Sequence, residues 1–159
     1  MNKVFLLLGS NLSEPAKQLE LARTMLRSRV GKINSASSLY HTAAWGFTSQ
    51  PDFLNQVLLI QTKLTASETL EQIMFIEKAQ GRSRTKKNAP RIIDIDILFY
   101  NRDIVHENNL VIPHPAIAAR RFVLVPLVEI DPQLIHPVLE KTVHQLLEEC
   151  TDELEVKRI

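Results

Sequence analysis

The sequence predicts an α+β fold: a ferredoxin-like βαββαβ core with a mainly antiparallel sheet, helices packed on it, and further short strands and helices towards the C-terminus. Three observations predict this. Apolar runs of strand length occur at Val4 to Leu8, Phe53 to Thr62 and Ile92 to Tyr100. Stretches with helical spacing lie between them. No repeat, linker or low-complexity tract divides the 159 residues, a length that fits one domain over residues 1–159.

Val4 to Leu8 is nearly all apolar, as in a central strand covered on both faces, and Gly9-Ser10-Asn11 reads as its end. Ser13 reads as a helix cap with Pro15 in the first turn. Leu19, Ala22 and Leu26 then recur at helical spacing, with Gly31 as the stop. Lys32 to Tyr40 reads as a second strand and Phe53 to Thr62 as a third. Thr65 and Glu68 have capping-box spacing. Leu70, Ile73, Met74 and Glu77 fall on one side of the helix that follows, which Gly81 ends. Ile92 to Tyr100 is the fourth strand. Val105 to Ile112 holds one or two short strands. Phe122 to Ile130 reads as a helix interrupted near Pro126, favoured over an extended piece. Thr142 and Gln145 repeat the capping-box spacing, and the last nine residues form a small terminal element.

A net charge of +1 exerts no global pull on nucleic acid or membrane, so neither is expected as a partner and any electrostatic function must be local. The single cysteine, Cys150, excludes an intramolecular disulfide and suits a reducing compartment. The N-terminal apolar run is too short for a secretory signal, and no window approaches the ~20 apolar residues of a membrane span. A cytoplasmic protein is expected. No separate amphipathic surface helix stands out, so a monomer is expected.

Asp94 and Asp96 interrupt the apolar run PRIIDIDILFY. Residues i and i+2 of a strand share a face, which puts the two Cβ atoms about 6–7 Å apart. Two carboxylates there repel and are costly to bury. A hard divalent cation would satisfy them; so would water on a solvated face, and Asp-x-Asp alone is short and common. The preceding segment bears on the choice. Lys78 to Ile93 contains six basic residues (Lys78, Arg82, Arg84, Lys86, Lys87, Arg91) and no acidic one. Arginines fork onto phosphate oxygens, while carboxylates hold the magnesium that accompanies polyphosphates. His114 lies between two prolines that stiffen its loop and can aim its imidazole at a phosphate. Arg120 and Arg121 extend the basic character. Asn55, among apolar residues and close to Phe53, is a platform for a flat heterocycle or a packed structural amide. His41, His106, His136, His144 and Cys150 show no partner pattern and read as structural.

Five segments in order, LLLGSNL, QPDFLN, IEKAQGRSR, PRIIDIDIL and VIPHP, resemble the 6-hydroxymethyl-7,8-dihydropterin pyrophosphokinase family. The resemblance covers nearly the whole chain and loosens after about Glu140. It implies transfer of pyrophosphate from ATP to the hydroxymethyl group of the pterin, with release of AMP, in folate biosynthesis. It implies two Mg2+ ions held by Asp94 and Asp96 with the ATP phosphates, and catalytic roles for Arg82, Arg91, Asp94 and Asp96. It further implies a pterin site of Thr42, Ala43, Trp45, Phe53, Asn55 and Phe122, and nucleotide contacts from Glu77, Arg84, Arg91, His114 and Arg120. The sequence departs from the family pattern at Asn88-Ala89, where Trp-Gly is frequent, at Pro115, where Tyr is frequent, and at Ala43-Ala44, where proline is frequent. An RNA-binding domain with the same element order is disfavoured by the lack of its aromatic-rich strand pattern. A metal-dependent phosphohydrolase using the same carboxylates is separated by its products.

Overall fold

The computed structural model describes residues 1–43, 51–81 and 92–159. Strand β1 (Asn2–Ser10) leads into helix α1 (Pro15–Arg29), strands β2 (Gly31–Ala36), β3 (Tyr40–Thr42) and β4 (Phe53–Thr62), helix α2 (Ala66–Ala79) and strand β5 (Asp94–Tyr100). A hairpin of β6 (Val105–Glu107) and β7 (Leu110–Ile112) follows, then a 3-10 turn (Ile117–Ala119), α3 (Arg121–Ile130), α4 (Val143–Glu149) and β8 (Val156–Arg158). The main sheet runs β5-β1-β4-β3-β8, with β2 also paired to β4, and every pairing is antiparallel. The predicted ferredoxin-like core is present, with its second strand split in two.

The split has an identifiable cause. The hydroxyl of Ser37 accepts the Val57 N–H (3.0 Å), and the Ser37 N–H donates to the Val57 carbonyl (2.9 Å). The chain stays tethered to β4 there while leaving the ladder, so β2 and β3 are two pieces of one edge. Other boundaries also move. β1 continues through Gly9 and Ser10, which pair with Asn55 and Leu54 instead of ending the strand. Ser13 does not cap α1: its φ is 61°, the cap position is Glu14, and no side chain caps there. Gly31 opens β2, because a Cβ at this position would lie 2.0 Å from the Gln61 carbonyl oxygen; close strand approach, not a helix stop, requires glycine. Met74 is 49% exposed, and the buried stripe of α2 is Thr69, Ile73, Ile76 and Glu77. α3 runs unbroken through Pro126, with Val123, Leu124 and Leu127 buried around it. Both predicted capping boxes form, at Thr65/Glu68 and Thr142/Gln145.

The two sheet faces are covered unequally. Val4, Leu6 and Leu8 of β1, with Leu54, Ile60, Ile95 and Ile97, pack beneath α1 and α2 through Leu19, Ala22, Leu26, Ile73 and Ile76. The opposite face carries Phe5, Leu7, Val57 and Leu98, covered by Ile117, Val123, Leu124, Leu127, Val143 and Leu146. That cover stops short of the Gly9 end of β1, and the open part of this face forms the floor of the site. β5 begins at Asp94 rather than Ile92, which sets the carboxylate pair at the strand's mouth.

Candidate active site

Register brings the site together. Gly9 pairs with Asn55 on β4 and with Asp94 on β5; Leu7 pairs with Asp96. Asn55, Gly9 and Asp94 therefore form one row across three strands. Gly9 leaves space in that row, since a Cβ there would lie 2.8 Å from Asn55 Oδ1. The space opens into a cavity of about 590 Å³ including its mouth, lined by Leu7, Gly9, Thr42, Ala43, Phe53, Asn55, Asp94, Asp96, Arg120 and Phe122. Most of the residues predicted for a pterin and for metal thus share one cavity.

Each wall has an identifiable support. Asn55 is buried, and its Nδ2 donates to Thr42 Oγ1 (2.7 Å), which fixes the amide's orientation across the β3–β4 pair. Asn11 Nδ2 donates to the Pro51 carbonyl (3.1 Å), tying the end of β1 to the approach to β4. Arg120 stands over the Phe122 ring with its guanidinium carbon 5.7 Å from the centroid, within cation–π reach.

A second groove lies on the other side of Asp96, between α2, β5 and the segment after β6. Leu70, Ile73, Glu77, Ile95, Asp96, Asn108 to Val111, His114 and Pro115 line it. Glu77 is buried, and its Oε2 accepts the Ile95 N–H (2.9 Å). β5 is a sheet edge, so this bond satisfies the backbone between the two aspartates from α2. The Leu98 carbonyl accepts the His114 N–H (3.0 Å), and His114 Nδ1 accepts the Ala116 N–H (3.1 Å). Burial lowers the His114 pKa, the positive charge of Arg120 lowers it further, and Asp94 opposes both. The imidazole is neutral at pH 7, with its proton on Nε2.

Asp94 and Asp96 present hard oxygen donors from one face of β5. Among the described residues no group of three or more His, Cys, Asp or Glu is placed to hold a metal. Two carboxylates alone leave most positions of an ion to phosphate oxygens and water, the usual habit of Mg2+ in phosphoryl-transfer sites. The residues fit the cation that the family implies.

Trp45, Arg82, Arg84 and Arg91, and the departures at Ala44 and Asn88-Ala89, lie outside the described residues. Thr42, Ala43, Phe53, Asn55, Phe122, Asp94, Asp96 and Arg120 meet in the first cavity; Glu77 and His114 line the second groove with Asp96. Sequence reasoning missed Leu7 and Gly9 as lining residues. The signal is in the alternation: Gly9 follows Leu7 at the two-residue strand period.

The family model described as 7,8-dihydro-6-hydroxymethylpterin-pyrophosphokinase (HPPK) matches residues 5–132. The chain belongs to the HPPK family. An HPPK relative, the 2-amino-4-hydroxy-6-hydroxymethyldihydropteridine pyrophosphokinase of Aquifex aeolicus, is 38% identical over 151 residues, or 95% of this chain and 94% of that protein. The folic acid synthesis protein fol1 of Pneumocystis carinii is 37% identical over 94% of this chain, which spans only 20% of that protein's length. A crystal structure of a Plasmodium falciparum HPPK-DHPS triple mutant with pteroate superimposes on the chain with a TM-score of 0.77 at 19% identity, over 93% of this chain and 43% of that one. That likeness shows the HPPK fold. Among the described residues no helix is long and apolar enough to cross a membrane.

Proposed function

We infer that the chain transfers the pyrophosphoryl group of ATP to the hydroxymethyl group of 6-hydroxymethyl-7,8-dihydropterin, releasing AMP, as a step of folate biosynthesis. The observation that carries this reading is that Asp96 lines both cavities. A flat heterocycle among Asn55, Phe53 and Phe122 and a nucleotide along α2 and His114 would meet at one carboxylate pair.

The chain's residues then have separable tasks. Asn55, oriented by Thr42, hydrogen-bonds the polar edge of the pterin, while Phe53 and Phe122 supply apolar contact with its rings. Asp94 and Asp96 would hold two Mg2+ ions together with the triphosphate. Bound there, the ions would neutralise phosphate charge and ease loss of the substrate hydroxyl proton. Neutral His114 offers its Nε2–H to a phosphate oxygen, and Arg120 offers a forked donor beside it. Arg82 and Arg91 take up charge on the bridging oxygen as AMP leaves, and Arg84 binds the nucleotide. No protein nucleophile is needed: positioning and electrostatic stabilisation carry the reaction. We further expect a cytoplasmic monomer.

The test is product identity. Mg-ATP and the pterin alcohol should give AMP and the pterin diphosphate. ADP as product, or pterin-independent release of phosphate, would overturn the reading in favour of a simple kinase or a phosphohydrolase.

A further inference from the structure

The family match ends at residue 132, yet the chain returns to the site well after that point. Beyond α4, Asp152 Oδ2 accepts the Arg121 N–H (3.0 Å), while its Oδ1 accepts the Leu154 N–H (3.0 Å). Arg121 is the first residue of α3 and lies between Arg120 and Phe122, which both line the first cavity. The first N–H groups of a helix lack intrahelical partners. The cap residue of α3, Arg120, makes no side-chain cap bond. Asp152 supplies the missing acceptor from 31 residues away and places negative charge at the positive end of the helix.

The tail then becomes β8 and pairs with the outer edge of β3, Thr42 opposite Val156 and Tyr40 opposite Arg158; the Ile159 N–H adds a bond to the Leu39 carbonyl (3.0 Å). β3 has three residues and carries Thr42 next to Ala43, two more cavity residues. The far end of α3 is tied to the same edge. Glu129 accepts from the Ser38 N–H (3.0 Å), the Ser38 hydroxyl (2.8 Å) and the Tyr40 hydroxyl (2.6 Å). Burial pushes the Glu129 pKa up, but the hydrogen bonds from Tyr40 and Ser38, with a lesser effect of the Arg158 charge on β8, hold it below the ordinary carboxylate value.

We propose that the C-terminal tail, residues 152–158, is a positioning element for the heterocycle cavity: Asp152 sets Arg120 and Phe122 through the Arg121 N–H, and β8 sets Thr42 and Ala43 by covering the edge of β3. This rests on reading that cavity as the pterin site. β5, with Asp94 and Asp96, lies at the opposite edge of the sheet from β8. The tail therefore acts on one ligand more than on the other. A loosened first turn of α3 or an uncovered β3 displaces walls of the pterin cavity. Of the described residues assigned to the nucleotide, only Arg120 depends directly on the tail.

The experiment compares wild type, Asp152→Ala, Asp152→Asn and a chain ending after Glu155, by direct binding of 6-hydroxymethyl-7,8-dihydropterin and, separately, of a non-hydrolysable ATP analogue with MgCl2. Asp152→Ala and the shortened chain should raise the pterin dissociation constant about tenfold and that of the nucleotide less than about threefold. Asp152→Asn keeps one acceptor oxygen, which can take the Arg121 N–H while the Leu154 N–H loses its partner, and should recover part of the pterin affinity. Unchanged pterin binding in both Asp152→Ala and the shortened chain would overturn the proposal, as would equal losses for both ligands, which signify general loosening. Should the shortened chain fail to fold, Asp152→Ala against Asp152→Asn decides. Wild type that binds no pterin would remove the functional reading and this proposal together. Wild type that binds, with Asp152→Ala unaffected, removes the role of Asp152 and leaves the function standing.

Discussion

The two faces of the central sheet are built from the same three strands, yet they do different work. On β1, Leu6 and Leu8 are fully buried beneath α1 and α2, while their neighbours Leu7 and Gly9 look into the open cavity. On β4, buried Leu54 belongs to the core and Asn55 to the site; on β5, Ile95 and Ile97 alternate with Asp94 and Asp96. The covered face is saturated with aliphatic side chains. The other face is covered over only part of its length, and where cover ends the side chains become Asn, Gly and Asp. Pleating puts stability and chemistry one residue apart, so a substitution and its neighbour should fail in different ways.

The largest expected separation is at Asp96. Asp96→Ala should lower kcat by about 10³-fold or more while the fold stays intact. Thermal melts alongside product formation check this; an active, folded variant would break the division between faces. Next is Leu8→Ala, on the covered face beside Gly9. It should cost about 3 kcal/mol of stability, as for other buried Leu truncations, with little change in turnover per folded molecule. Urea unfolding and active-site-normalised rates distinguish that from a mixed effect.

Gly9→Ala should be smaller and opposite in kind. The new Cβ meets Asn55 Oδ1 at 2.8 Å, so the amide must shift. Pterin affinity should fall about tenfold with stability nearly kept, as calorimetric titration would show. A variant that loses stability but keeps affinity would place Gly9 with the core.

The smallest effect concerns the buried His136, whose Nδ1 accepts the N–H groups of Val138 and Leu139. Burial holds its pKa below the ordinary 6.5. In the window between that lowered value and 6.5 the unfolded chain binds more protons than the folded one. This contribution to stability is thus fully present above about pH 6.5 and lost as pH falls through the window. His114 contributes in the same direction. His136→Asn keeps an acceptor and removes the titration, so urea midpoints measured on either side of the window should differ less than in wild type. An unchanged difference would assign the slope to other groups.

Features controlled by neighbours in sequence are legible in the sequence itself. The capping boxes at Thr65/Glu68 and Thr142/Gln145 need only a three-residue spacing, and both form. β4 has the predicted limits because its apolar run is bounded on both sides. The misread features have distant causes. Ser37 leaves the ladder where it bonds Val57, and Gly31 is required by the Gln61 carbonyl.

The chain alone determined that Asp94 and Asp96 share a strand face, that basic residues precede them, and that Asn55 stands among apolar neighbours. These follow from strand periodicity and composition, which are local. Only the tertiary structure decided that Gly9 separates Asn55 from Asp94 across three strands, that Asp96 belongs to two cavities, and that the tail braces one of them. Register and edge pairing join residues tens of positions apart, and their energies depend on the whole sheet rather than on any short stretch of sequence.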